Sequence, residues 1–216
     1  MFTNDEPKEE RRFPRKVTKK EGDEEGDNVR LKLPKILTYD EIDRALLVIN
    51  EIEDLVAFRV MLYGGLRVAE ATSLKVRDLH PDTQSIFVDQ GKGGKDRYVP
   101  IDIATLAIAN CYIKAVDLKP EDTLFKSTKR TLQRHVEEIY IRAGIIWGKD
   151  PLGKPIVPGC HTLRHTCATW QLDKGIPLEV VRANLGHTDI AITQIYTHLN
   201  IRQRSRTYQD CSRFGV

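Results

Sequence analysis

Apolar residues recur at helical spacing through most of the chain after residue 33. The clearest start is a capping box, in which Thr38 is followed three residues later by Glu41. The apolar side chains that follow share one helical face: Ile42, Ala45, Leu46 and Ile49. With glycine and proline as stop signals, the same pattern predicts further helices over residues 55–63, 67–75, 103–116, 129–143, 162–174, 177–184 and 189–199.

Two short segments, 85–89 and 98–101, have the composition of β-strands instead. Between them, residues 91–95 have the sequence GKGGK, which is typical of the tip of a β-hairpin. Residues 144–160 are rich in glycine and proline, which predicts a loop or an extended excursion. We therefore expect a mainly α fold with a small antiparallel β-sheet, within the α+β class.

The start of the chain differs in composition from the rest. Its first 30 residues include 17 charged side chains and few apolar ones. Such a segment cannot bury enough apolar surface to offset the entropy of ordering, so we expect residues 1–32 to form a disordered charged arm. One folded domain is expected over residues 33–200, followed by a C-terminal tail at 201–216.

Basic residues are concentrated in the second part of the chain. Residues 126–216 hold 14 lysines and arginines against 7 acidic residues. This excess indicates a polyanionic partner, although scattered solvated surface charges would give the same count. The four cysteines show no zinc-finger spacing. We find neither a signal peptide nor an apolar run of the roughly 18 residues that a membrane helix needs, so we expect a cytoplasmic protein without membrane association.

Five segments contain polar groups that suit the handling of a phosphodiester. Arg67 follows a Gly-Gly turn at a predicted helix start, and its planar guanidinium matches the geometry of a phosphate. Lys92 lies in the predicted hairpin tip, from which it could reach a phosphate. The other candidates are His161 and Arg164 in HTLRH, His187 in LGH, and Tyr196 nine residues later.

The HTLRH segment allows three interpretations. His161 and Arg164 share a helical face, and an imidazole beside a permanent cation suits a site where negative charge develops on oxygen. His161 and His165 are four residues apart, as in some zinc sites, but Thr162 stands where such sites usually have glutamate. Cys167 near His165 could act as a thiolate nucleophile, although its apolar surroundings fit a packed thiol better.

Taken together and in order, these segments resemble the tyrosine recombinase family, which includes phage integrases and Xer-type recombinases. The stretches that carry the resemblance are GGLRVAEATSLKVRDL, GKGGKDRYVPI and HTLRHTCATWQLDKGIPLEVVRANLGHTDIAITQIYTHL. The resemblance covers roughly residues 38–200. The combination of His-x-x-Arg, Leu-Gly-His and a following tyrosine is highly specific to this family.

The resemblance implies which groups bind the scissile phosphate. Arg67 and Arg164 would hold its non-bridging oxygens, and His187 would donate a hydrogen bond to it. Glu70 matches a family acidic position that supports the site without taking part in the chemistry. These cationic donors stabilise the charge that grows on the phosphate in the transition state, and no metal or other cofactor is implied.

The resemblance also implies the groups that move protons. Tyr196 would be the nucleophile, with His161 assisting transfer of its proton, and Lys92 would protonate the leaving 5′ oxygen. Tyr208 also lies near the C-terminus, but its surroundings show no periodic pattern that would hold its hydroxyl in place.

The implied function is site-specific DNA recombination through a 3′-phosphotyrosyl intermediate, with double-stranded DNA and a tetramer of the protein on it as partners. A DNA-binding remnant without recombination activity and a type IB topoisomerase-like relaxing enzyme are the alternatives. Family members usually have a further N-terminal helical domain that closes around DNA, and residues 1–37 show no pattern for one. We therefore expect salt-sensitive DNA binding with low sequence selectivity.

Overall fold

The computed structural model describes residues 35–89 and 96–186. Its α-helices are α1 (Tyr39–Leu47), α2 (Ile52–Tyr63), α3 (Val68–Ser73), α4 (Ile103–Ala115), α5 (Lys129–Arg142), α6 (Cys160–Asp173) and α7 (Leu178–Leu185). Its strands are β1 (Leu79–His80), β2 (Ser85–Val88), β3 (Arg97–Pro100), β4 (Gly148–Lys149) and β5 (Pro155–Ile156), and 3₁₀ turns cover Val76–Asp78 and Pro81–Thr83. The mainly α fold with small antiparallel sheets confirms the expected class.

The predicted capping box begins α1. The Thr38 hydroxyl accepts a hydrogen bond from the Glu41 amide at 3.2 Å, and the Glu41 carboxylate accepts one from the Thr38 amide at 2.8 Å. Two backbone donors that the helix leaves unpaired are thus satisfied. The helix ends at Leu47, so Ile49 lies beyond it and packs on the core from the following segment.

Helix α2 forms the centre of the hydrophobic core. It packs against α4, α5 and α6, and its buried side chains lie on all sides of the helix, as expected for a helix enclosed by others. Phe58 and Met61 are fully buried, and each such side chain contributes roughly 1.5–3 kcal/mol to stability. The core thus fixes the position of the turn that follows α2.

Strands β1, β2 and β3 form one antiparallel sheet in that order. Ile86 pairs with Val99, and both side chains are buried, so the register is set by the core. Strand β3 begins at Arg97 opposite Val88 and packs against α7. The predicted hairpin tip at 91–95 lies outside the described residues.

Residues 144–160 differ from a plain loop. They contain a second antiparallel pair, β4 and β5, in which Gly148 pairs with Ile156. The carboxylate of Asp150 closes the turn by accepting hydrogen bonds from the amides of Leu152 and Lys154. Strands of two residues are too short to show alternation in the sequence, so the extended excursion was predicted but its strand pairing was not.

Glycine ends α7 as predicted. Gly186 takes a left-handed conformation with φ of 63°, and its amide donates to the carbonyl of Arg182 at 2.9 Å. The predicted helix at 189–199, the arm at 1–32 and the tail at 201–216 lie outside the described residues. None of the helices over 35–89 and 96–186 combines the length and apolarity needed to cross a membrane.

Candidate active site

Arg67 is held at the junction between α2 and α3. Gly65, with φ of 64°, turns the chain after α2, and Arg67 is the N-cap residue of α3. Its amide donates to Glu70 Oε2 at 2.7 Å, and its guanidinium Nη1 donates to Glu70 Oε1 at 2.8 Å. The side chain remains 38% exposed. Arg67 is therefore oriented by a carboxylate and still reaches solvent.

Glu70 is buried and contacts three arginines. Besides Arg67, the guanidinium of Arg97 donates to both carboxylate oxygens at 3.2 and 3.0 Å, and Nη1 of Arg164 lies 3.7 Å from Oε2. Burial alone raises the pKa of Glu70, but the Arg97 and Arg67 hydrogen bonds and the nearby positive charges outweigh it and lower the pKa below 4.5. At neutral pH these four side chains therefore carry a net charge of +2.

Arg164 is the most buried of these three arginines, with 6% of its surface exposed. It donates to the carbonyl of Gly65 at 2.7 Å and to the carbonyl of Leu185. Burial, followed by the charge of Arg67, lowers its pKa to about 10, although the charge of Glu70 opposes this shift. Arg164 is thus still a cation at neutral pH, and it joins the turn after α2 to the end of α7.

Arginines from three separate segments approach the last carbonyls of α7 and the carbonyl of Gly186, which follows it. Nε of Arg97 on β3 donates to the carbonyl of Asn184 at 2.7 Å. Arg164 on α6 donates to Leu185, and Nη2 of Arg67 lies 3.5 Å from the carbonyl of Gly186. A helix C-terminus carries partial negative charge, so cations stabilise this end.

His161 lies in the first turn of α6 and is exposed. It precedes Arg164 by three residues, so the two side chains project from neighbouring positions on the helix. His165 on the next turn is partly buried, and burial, followed by the charges of His161 and Arg164, lowers its pKa. Over residues 35–89 and 96–186, no group of three or more histidine, cysteine or acidic side chains is placed to hold a metal ion.

Cys167 is a packed thiol. It is 3% exposed, its Sγ accepts a hydrogen bond from Gln171 Nε2 at 3.1 Å, and it lies 3.4 Å from the carbonyl oxygen of Tyr63. Burial raises its pKa to about 11. The thiolate required of a cysteine nucleophile is therefore not formed at neutral pH.

The chain is similar in sequence to a known family of proteins. The phage integrase family matches residues 35–203 of the chain. The chain belongs to the phage integrase family. This confirms the resemblance to tyrosine recombinases that the sequence motifs carry.

Similar proteins of this family include a tyrosine recombinase of Thermosipho africanus (strain TCF52B), 33% identical over 175 residues. The alignment covers 79% of this chain and 59% of that protein. The chain therefore spans well under two thirds of the length of this relative.

Two solved structures are also similar. The crystal structure of XerA recombinase matches with a TM-score of 0.67 and 30% identity, over 82% of this chain and 65% of that chain. The XerH site-specific recombinase bound to its difH substrate matches with a TM-score of 0.64 and 26% identity, over 81% of this chain and 53% of that chain.

The resemblance implied catalytic roles for six residues of this phage integrase family member. The structure describes three of them. Arg67 and Arg164 come together on Glu70, and His161 lies on the helix that carries Arg164. The other three, Lys92, His187 and Tyr196, lie outside the described residues. Convergence of the whole set on one phosphate stays a prediction.

No role was predicted for Arg97 from the sequence. This residue lies within the quoted stretch GKGGKDRYVPI, where only Lys92 was given a function. One signal for Arg97 exists in the pattern, because a strand places residues 97 and 99 on the same face and Val99 is a core residue. An arginine on a buried face requires a partner, and the sequence does not reveal that this partner is Glu70.

Proposed function

We propose that this chain carries the catalytic machinery of a site-specific DNA recombinase that cleaves and rejoins strands through a 3′-phosphotyrosyl intermediate. The observation that supports it most directly is the pair Arg67 and Arg164, which share one buried carboxylate and leave a surplus of positive charge. A preorganised cationic site of this kind stabilises the charge that develops on a phosphate in the transition state.

Arg67 and Arg164 would bind the non-bridging oxygens of the scissile phosphate. A guanidinium has five N–H donors, so the contacts of Arg164 with two carbonyls leave donors for a phosphate. Arg67 is the more exposed of the two and can meet the DNA backbone directly. His187, the next residue in the chain after Gly186, would donate a further hydrogen bond to the phosphate.

Cleavage would then proceed by exchange of one phosphoester bond for another. The hydroxyl oxygen of Tyr196 attacks phosphorus while His161 assists removal of its proton. The bond from phosphorus to the 5′ oxygen breaks, and Lys92 protonates that oxygen. Attack of a 5′ hydroxyl on the phosphotyrosine reverses these steps and rejoins DNA, so no nucleotide cofactor is consumed.

Double-stranded DNA is the proposed partner. The 14 basic against 7 acidic residues over 126–216 favour a polyanion, and the similar XerH site-specific recombinase is bound to its difH substrate. We further propose that the protein acts in the cytoplasm and as a tetramer on DNA, because an exchange between two duplexes requires four strand cleavages. Binding is expected to weaken steeply as salt concentration rises.

The test is covalent trapping on a library of duplexes with randomised sequence, each nicked near its centre. Cleavage next to the nick releases a short fragment, so religation fails and the protein stays attached. We expect an adduct that survives denaturation, and sequencing of the attached DNA would reveal the preferred site. DNA binding without an adduct would instead identify a binding module. Relaxation of a plasmid that lacks the recovered site would identify a topoisomerase-like activity.

A further inference from the structure

Arg97 joins three elements of the site through one side chain. It lies at the start of β3, is 8% exposed, and donates from Nη1 and Nη2 to the carboxylate of Glu70 on α3. Its Nε donates to the carbonyl of Asn184 near the end of α7. Each of its three nitrogens therefore has an acceptor within the protein.

Only an arginine side chain can make all of these hydrogen bonds to Glu70 and Asn184 at once. Nη1 and Nη2 donate to the Glu70 carboxylate while Nε donates to the Asn184 carbonyl, and a guanidinium holds these donors in one fixed planar fork. A lysine would keep the charge but concentrate it at one ammonium, which cannot meet a carboxylate and a separate carbonyl with the same geometry. Arg97 is therefore suited to fix the relative position of α3, β3 and α7.

The two groups that Arg97 holds both lead to proposed catalytic residues. Glu70 accepts hydrogen bonds from the amide and the guanidinium of Arg67, and it also lies near the guanidinium of Arg164. Asn184 precedes Leu185 and Gly186, whose carbonyls receive Arg164 and Arg67, and the next residue in the chain is His187.

We propose that Arg97 is a positioning residue of strand cleavage, which acts by holding the Glu70 carboxylate and the C-terminal end of α7 in place. It does not need to touch DNA, because its nitrogens already bind protein acceptors. The inference rests on the proposed function, since positioning has a catalytic effect only where Arg67 and Arg164 bind the reacting phosphate.

Arg59 provides a matched control. It is likewise a poorly exposed arginine, with a side chain 13% exposed, and it pairs with Asp102 at 2.8 Å and donates to Thr105 at 2.9 Å. Within residues 35–89 and 96–186, its hydrogen bonds join α2 to α4, and none of them involves Glu70 or the end of α7. Loss of an ion pair made by a poorly exposed arginine is therefore common to Arg59→Gln and Arg97→Gln, whereas loss of positioning is specific to the second.

The experiment compares the unmodified protein with Arg97→Gln, Arg97→Lys and Arg59→Gln. Single-turnover cleavage of the nicked DNA is measured per folded molecule, together with the Kd for the same DNA. We expect Arg97→Gln to slow cleavage about 100-fold, since misplacement by about 1 Å can cost that much, while the Kd changes less than about 3-fold. Arg97→Lys should be slowed about 10-fold or more, and Arg59→Gln less than about 3-fold.

A second measurement tests whether Arg97 holds the end of α7 in place, and it does not depend on cleavage activity. Hydrogen exchange of the Gly186 amide, which donates to Arg182 at 2.9 Å, is followed by NMR in the same four proteins. We expect exchange to quicken at least about 10-fold in Arg97→Gln and to be unchanged in Arg59→Gln.

The two measurements separate failure of this inference from failure of the proposed function. Cleavage by Arg97→Gln within about 3-fold of the unmodified protein, or an equal loss in Arg59→Gln, would overturn the inference while leaving the recombinase intact. If the unmodified protein forms no adduct at all, the proposed function fails, and with it the catalytic role assigned to Arg97. Unchanged exchange at Gly186 would overturn the positioning role in either case.

Discussion

Replacing Gly65 by alanine tests the packing beneath the arginine cluster, which is formed by Arg67, Arg97 and Arg164 around Glu70. Gly65 has φ of 64°, and a Cβ there would overlap Cδ2 of Leu185 and lie 3.1 Å from Sγ of Cys167. Leu185 and Cys167 are themselves buried, so neither can move freely. The same residue supplies the carbonyl that accepts from Arg164. Gly65→Ala should therefore destabilise the fold through both backbone strain and steric overlap.

The chain offers a matched control in Gly144→Ala. Gly144 has φ of 67°, but its nearest neighbour to a new Cβ is the flexible end of Arg44 at 3.5 Å. A left-handed alanine costs roughly 1–2 kcal/mol, and the lower entropy of the unfolded chain returns roughly 0.4–1 kcal/mol in both variants. Only Gly65→Ala adds overpacking, which costs roughly 1–3 kcal/mol.

The expected difference between the two variants is thus about 1–3 kcal/mol in the free energy of unfolding. Urea denaturation followed by circular dichroism measures it directly, and equal slopes against urea would show that both unfold comparable structure. Equal losses of stability in Gly65→Ala and Gly144→Ala would refute the contact between the turn after α2 and the end of α7.

Two further predictions concern buried groups near the cluster. The lowered pKa of Glu70 means that its ionised form stabilises the fold above pH 4.5, and this contribution disappears as the pH falls through the folded-state pKa. Glu70→Gln should therefore lower the free energy of unfolding by about 3 kcal/mol at pH 7. Urea denaturation should show that this loss of stability becomes smaller towards pH 3, and a loss that stays constant with pH would contradict the ionised contact with Arg67, Arg97 and Arg164. In a Cys211→Ser background, a maleimide should label exposed Cys111 quickly at pH 7 and leave buried Cys167, whose pKa is raised to about 11, unlabelled until the protein unfolds; equal labelling rates would contradict the packing of α6.

The local signals in the sequence predict most of the secondary structure. The capping box at Thr38 and the glycine at residue 186 mark the helix ends that the structure shows, because each signal acts through bonds to neighbours a few residues away. Helix α3 ends at Ser73, two residues before its predicted end, because Leu74 and Lys75 are extended and the Leu74 carbonyl accepts a hydrogen bond from the Leu124 amide at 2.7 Å. Helix ends without such signals are set by the surrounding fold and not by the local pattern.

The arrangement of the site could be predicted only in part. The resemblance to tyrosine recombinases identified Arg67 and Arg164 as a pair, and the structure brings both to Glu70. The role of Arg97 depends on contacts with residues 27 and 87 positions away, which no local pattern encodes. A single sequence shows only that a buried charge needs a partner. It does not show which residue that partner is.

We propose that Tyr196, and not Tyr208, forms the covalent bond to DNA. Trypsin should release Tyr196 within residues 183–202 and Tyr208 within 207–213, so the two candidates fall on different peptides. The most direct measurement is therefore mass spectrometry of the trapped adduct after digestion with trypsin and nuclease. We expect a residual nucleotide on Tyr196, in the peptide 183–202. A nucleotide on the peptide 207–213, or on any residue other than Tyr196, would contradict it.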